Sequence, residues 1–266
     1  TSSTRWPSQR RAHLFLGLAT ATVAVDFGVC YLLWLSHGCL AFLPFISDLG
    51  IHGTMQTTFT VGLVLGAALM ICALPHIFVA RIRLLDALRA PRKWRWANLV
   101  VAAAGCLTAC GVGTLGFFPW DRSLTVHIVC ADVIFGGGVV WAIGSSILAR
   151  HFARAVAHDT WGACPCARRL QLPVAVACWC DVLLGAACFG GAFSDKPAMF
   201  RSGEIERILR AANTDFDSYC RGLDGWHTEA WINVAALSEW ILIALMVAGV
   251  WASAADLETY GRIQRS

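Results

Sequence analysis

The chain has 266 residues, is 57% hydrophobic and only 14% charged, and its mean hydropathy is +0.60. A water-facing globule carries roughly 25% charged residues, so this composition excludes an ordinary soluble domain and makes lipid the main solvent. The net charge of +4 does not point to nucleic acid, because the basic residues fall in short stretches between apolar runs and no nucleic-acid module is present.

Six apolar runs of about 20 residues or more predict six spanning helices, at 13–35, 54–80, 97–118, 123–149, 171–193 and 229–254. The first follows a basic start (Arg5, Arg10, Arg11) and is too long for the core of a signal peptide, so it is expected to be an anchor. In the second, Gly62 and Gly66 form a GxxxG pair suited to close helix contact. The third and fourth are separated only by Pro119-Trp120-Asp121-Arg122, a tight hairpin in which proline stops the incoming helix. Gly136-Gly137-Gly138 thins the fourth. The long loop 194–228 precedes the last span and contains a mixed-charge stretch, 203–210, with the spacing of a short surface helix.

Lysine and arginine set the expected orientation, since short loops rich in them stay cytoplasmic. Fifteen lie on one side, including Arg81, Arg83, Arg89, Arg92, Lys93 and Arg95 in the second loop, and six on the other. The expected fold is therefore all-α, a polytopic membrane protein with one domain over 1–266, a six-transmembrane-helix bundle with both termini cytoplasmic. The second-loop cations are candidates for contact with anionic lipid.

Most of the 12 cysteines lie inside apolar runs, where the residue behaves as a small hydrophobe. Cys39 and Cys220 are the two in predicted outer loops and could pair on an oxidising side of the membrane. Cys164-Pro165-Cys166, beside Arg168-Arg169, is a candidate palmitoylation segment.

Ionisable groups inside a membrane are expensive and call for a reason. Asp26, Asp132, Asp181 and Glu239 fall about 14–20 Å into four different spans, and His127 enters the fourth span above Asp132. Together they form a candidate intramembrane polar site for a lipid headgroup or acid–base chemistry, or alternatively act as glue between helices. Haem and zinc are not expected. The pairs His52/His76 and His127/His151 are each separated by 24 positions, about 36 Å along a helix, which puts the rings at the interfaces. Nothing in the sequence makes three ligands converge on a zinc ion.

The first outer loop, Phe42-Leu43-Pro44-Phe45-Ile46-Ser47-Asp48-Leu49-Gly50, resembles the "FLPYISD(T/L)G" signature of the Frag/DRAM/Sfk family. Ser238-Glu239-Trp240 is similar to that family's "(C/A)EW". His127, followed by the small-residue and aromatic stretch Phe135 to Trp141, is a third landmark, and order and spacing hold over about 37–256. Pro44, Ser47, Asp48 and Gly50 carry the loop signature, and Asp48 with the Glu-Trp pair resembles the damage-regulated autophagy modulators most. Asp26, Asp132 and Asp181 depart from the family pattern, and the 194–228 loop is longer. The resemblance implies a six-span protein of endomembranes, lysosomes or plasma membrane, with membrane lipids and protein partners. Its expected role is modulator or scaffold in autophagy or membrane-lipid homeostasis. A lipid-remodelling enzyme and an accessory subunit of a larger membrane complex are the alternatives.

Overall fold

The computed structural model describes residues 7–41, 44–155, 165–195, 212, 214–222 and 230–263. The stretch 203–210, Cys164, and the side chains of Cys166 and the 251–263 segment lie outside the described residues. What is described is helical, with no strand among the described residues. Six long helices are α1 (Pro7–Ser36), α2 (Gly53–Ala87), α3 (Arg92–Leu115), α4 (Trp120–Ala155), α5 (Pro165–Asp195) and α7 (Ala230–Ile263). Between them lie a 3-10 turn, η1 (Ile46–Gly50), and the short α6 (Phe216–Cys220).

Over the described residues, α1, α2, α3, α4 and α7 are apolar and long enough to cross a bilayer. The fifth of the six predicted runs lies within α5, where the described apolar stretch is the shorter Leu172–Cys188. At 1.5 Å per residue the 35 residues of α2 extend about 52 Å, beyond a hydrocarbon core of about 30 Å. The long helices therefore carry their ends into the headgroup layers and past them.

Each helix packs on its neighbour in chain order, and α7 closes the ring by packing on both α5 and α1. Small residues set the close approaches, as expected where dispersion rather than the hydrophobic effect drives helix association. On α2, Gly62 receives the carboxyl of Asp26 and Gly66 receives Val23, both from α1. On α4, Gly137 abuts Thr108 of α3, and Gly138 abuts Met246 of α7. Between α3 and α4 the chain reverses within a few residues, and the Thr60 hydroxyl donates to the Gly116 carbonyl at 2.6 Å, pinning this hairpin to α2.

The core has two main parts. One lies at the end of the bundle that carries η1 and α6, around Trp34, Leu49, Met55, Phe59, Tyr219 and Ile232. The other lies at the opposite, basic end, around Leu16, Ile77, Leu84, Trp141, Leu148 and Phe152. Arg81 belongs to that second region by position: it falls on the apolar stripe of α2 with Ile77, Leu84 and Leu85, and only 4% of it is exposed.

Candidate functional site

The segment between α1 and α2 covers one end of the ring, and four polar side chains hold it there. Trp34 of α1 donates its Nε1–H to the Leu40 carbonyl at 2.8 Å, and Tyr31 its hydroxyl to the Ala41 carbonyl at 2.7 Å. From the far end of the chain, Trp240 of α7 donates Nε1–H to the Pro44 carbonyl at 2.8 Å. The carboxylate of Glu239, one residue earlier, accepts the Ile46 amide at 2.7 Å. The edges of Phe27 and Tyr31 meet the Trp240 ring and fix its plane.

Asp48 is the second centre of this cap. It is 1% exposed, and three donors satisfy it: the Phe45 amide at 3.0 Å, Trp120 Nε1 at 3.1 Å and the Tyr219 hydroxyl at 2.9 Å. The donors come from its own turn, the start of α4, and α6. One carboxylate thus ties three separate chain segments, and a buried carboxylate is stable only with such a full set of partners. Cys39 and Cys220 form a disulfide, and beside it the Leu40 amide donates to the Cys220 carbonyl at 2.9 Å, so α6 is joined to the same cap. At Gly50 a Cβ would stand 2.7 Å from the Phe59 ring, so a side chain there would force the turn off α2.

The "FLPFISDLG" turn and the Glu239-Trp240 pair, 193 residues apart between Ile46 and Glu239, therefore bond directly to each other. Residues 12–260 match the Frag1/DRAM/Sfk1/Cwh43P N-terminal domain. The chain belongs to this family. No curated protein and no solved structure matches it. In this Frag1/DRAM-family chain the two signature segments are thus the two halves of one latch. Sequence reasoning singled out both halves without pairing them, because the partners of Glu239 and Trp240 are backbone groups that any residue would supply. Tyr219, Trp120 and Tyr31 were not singled out as site residues at all. The signal that could have found Tyr219 is its position next to Cys220.

Below the cap, an elongated cavity of about 130 Å³ lies inside the ring, bounded by α1, α2, α3, α4 and α7. Its capped end is lined by Ser47, His127 and Glu239, and it reaches to Trp141 and Val250 towards the basic end. His127 Nδ1 lies 2.8 Å from the Phe118 carbonyl. A carbonyl only accepts, so Nδ1 carries the proton, and in the neutral ring Nε2 is left as an acceptor.

The five residues of the expected intramembrane polar site do not share one pocket. His127 and Glu239 line the cavity. Asp26 is buried at the α1–α2 contact, with the Cys30 thiol 3.9 Å away and one oxygen lacking a hydrogen-bond partner. Asp181 faces α7, where the Ser238 hydroxyl donates to it at 3.1 Å. Asp132 points away from the bundle interior and is exposed. The reason is angular: at about 100° per residue, the five residues from His127 to Asp132 turn the side chain about 140° round α4.

The histidines considered for haem each have their own neighbour. His52 stacks on Phe216 with ring centroids 4.2 Å apart, His76 on Phe15 at 6.3 Å and His151 on Trp94 at 3.9 Å. Among the described residues, no three His, Cys, Asp or Glu side chains converge where they could hold a metal ion.

Of the six cations expected to meet anionic lipid, five are exposed: Arg83, Arg89, Arg92, Lys93 and Arg95. Arg95 also pairs with Asp86 at 2.9 Å, and Arg92 lies over the Trp96 ring. Arg81 is the exception, since its place on the inward stripe of α2 removes it from the surface, and its Nε has no hydrogen-bond partner.

The latch gives a direct expectation. Glu239→Ala leaves the Ile46 amide without its acceptor, and a hydrogen bond to a charged group is worth about 1.5–3 kcal/mol. The melting temperature of the purified protein should fall by several degrees. Glu239→Gln, which keeps an acceptor oxygen, should recover at least half of the loss. Equal effects of Gln and Ala would show that the amide is not what the side chain serves.

Proposed function

We propose that this protein is a non-catalytic integral membrane modulator or scaffold of the DRAM type, serving autophagy or membrane-lipid homeostasis in an endomembrane, lysosomal or plasma membrane. It would act through protein partners inside the bilayer and anionic lipid at its basic, cytoplasmic end. Asp132 is the observation that carries this reading. It is an exposed carboxylate well inside an apolar helix, on a face with Val129, Gly136 and Val140, and Gly136 has open space above it. Hydrocarbon cannot solvate such a group, which costs about 2.5–3.5 kcal/mol at a helix centre by insertion scales. A partner helix offering a cation or a hydrogen-bond donor would remove that cost, and Gly136 would let its backbone come close.

The exposed rim of Arg83, Arg89, Arg92, Lys93 and Arg95 supports the second half of the proposal, each cation being worth about 1 kcal/mol near an anionic surface. A lipid-remodelling enzyme is the second reading, favoured by His127 and Glu239 sharing one cavity. Against it, each of these side chains already serves a backbone group, Phe118 and Ile46 respectively.

A cysteine cross-linker placed at Gly136 in native membranes should give one discrete adduct with another protein. Asp132→Leu should abolish it, while Asp132→Asn keeps a weaker form. If Asp132→Leu leaves the adduct intact, the scaffold role of this face is wrong. For the rim, changing Arg89, Arg92 and Lys93 together to Gln should weaken capture of anionic vesicles by the nanodisc-held protein roughly a hundredfold, from about 3 kcal/mol. An enzyme would instead show a lipid product that disappears with His127→Phe.

A further inference from the structure

The cavity inside the ring has a polarity that selects a ligand, and this goes beyond the scaffold role. Its ionisable groups gather at one end, where His127 and Glu239 meet it beside Ser47, while its length is lined mainly by apolar groups such as Phe135, Ile243 and Met246. The lining runs along α4 from His127 to Ala142, a rise of about 22 Å. The cavity is therefore long and lined mainly by apolar side chains, a form that suits an extended apolar body.

The polar end offers acceptors. His127 commits its Nδ1 proton to Phe118, which leaves Nε2 as a lone pair, and Glu239 already accepts the Ile46 amide through one oxygen. Among the described residues no lysine or arginine lines the cavity, so a phosphate or carboxylate headgroup would be buried there without a counter-charge, at a large desolvation cost. A hydroxyl headgroup fits, because it donates one proton to such an acceptor and carries no charge. Thr20 and Thr108 in the lining already give their hydroxyl protons to the Leu16 and Ala104 carbonyls, and the one indole in the lining, Trp141, has an unpartnered N–H but lies towards the opposite, basic end.

We propose that the cavity binds one uncharged lipid bearing a single hydroxyl, with its head between His127, Glu239 and Ser47 and its apolar body running towards Val250. A sterol and a long-chain alcohol share this chemistry.

Full-length protein in nanodiscs would be photolabelled with four diazirine probes: a 3-hydroxysterol, a hexadecanol, a palmitic acid and a phosphatidylcholine. One of the two hydroxyl probes, or both, should label cavity residues such as Met246 and Phe135 at up to one adduct per chain. Excess unlabelled ligand should suppress this labelling more than tenfold, and the response of the two probes distinguishes sterol from linear alcohol. The acid and the phospholipid should label only outward residues such as Leu107 and Val129. Ala131→Phe, which fills the cavity, should cut cavity labelling at least fivefold. His127→Phe should weaken the hydroxyl probe about tenfold while leaving residual labelling.

Cavity labelling by the fatty acid equal to that by the alcohol would overturn the headgroup assignment. Hydroxyl-probe adducts confined to outward residues, or unchanged by Ala131→Phe, would overturn the site itself. Should Ala131→Phe fail to fold, competition on the wild-type protein decides: saturable loss of the Met246 adduct supports the site, and its persistence in excess unlabelled sterol and alcohol refutes it.

Discussion

Replacing Cys39 and Cys220 by serine should lower the stability of the protein by about 2–4 kcal/mol. The bond closes a sequence separation of 181 residues, for which the chain-entropy relation alone gives about 5 kcal/mol. The lower figure follows because helices persist in the unfolded state within a membrane and already limit the chain. Unfolding in graded SDS, with and without reductant, measures it. Reductant should shift the wild-type midpoint down to that of the double serine variant and leave the variant unmoved. The hydrogen bond from Leu40 to Cys220 and the Tyr219–Asp48 contact remain after reduction, so α6 should loosen before the ring opens. Proteolysis in the 212–222 region should accelerate under reductant well before the long helices become susceptible. A midpoint indifferent to reductant would mean that the hydrogen bonds hold the cap unaided.

The second large effect is expected at Asp48. Asp48→Ala strands the Phe45 amide, the Trp120 indole and the Tyr219 hydroxyl in a buried site. Each unsatisfied donor costs about 1–3 kcal/mol. Because the three act on one group they do not add fully, and a total of about 3–5 kcal/mol is expected. Asp48→Asn is the informative partner. Trp120 and Tyr219 both donate to Oδ1, which an amide oxygen can replace, whereas the new NH2 would face the Phe45 N–H, donor against donor. Its cost should be about one hydrogen bond rather than three. A thermal double-mutant cycle of Asp48→Asn with Tyr219→Phe should show coupling of about 0.5–3 kcal/mol, and additivity would break the proposed link between α6 and the turn.

The all-helical, lipid-solvated character of the chain was legible from apolar run length, as was the α3–α4 hairpin from Pro119. The Gly62/Gly66 pair also read correctly as a close contact, since Asp26 and Val23 of α1 fill the space those glycines leave. Depth along a helix follows from counting residues, but azimuth follows from which face meets a neighbour. Asp132 and His127 therefore looked related while lying on different faces of α4. For Arg81 the information was present: its spacing from Ile77, Leu84 and Leu85 is that of one helical stripe, yet a charge count along the loop hides it. The latch itself was not legible as a contact, because half of each hydrogen bond is main chain.

That latch also imposes an order of events. Glu239 and Trp240 leave the ribosome 193 residues after Ile46, or roughly ten to forty seconds later at ordinary rates of synthesis. During that interval the Pro44 carbonyl and the Ile46 amide have no permanent partners, and the nascent turn stays unsealed. Only the arrival of α7 supplies both partners, so a turn made early is sealed by a helix made much later.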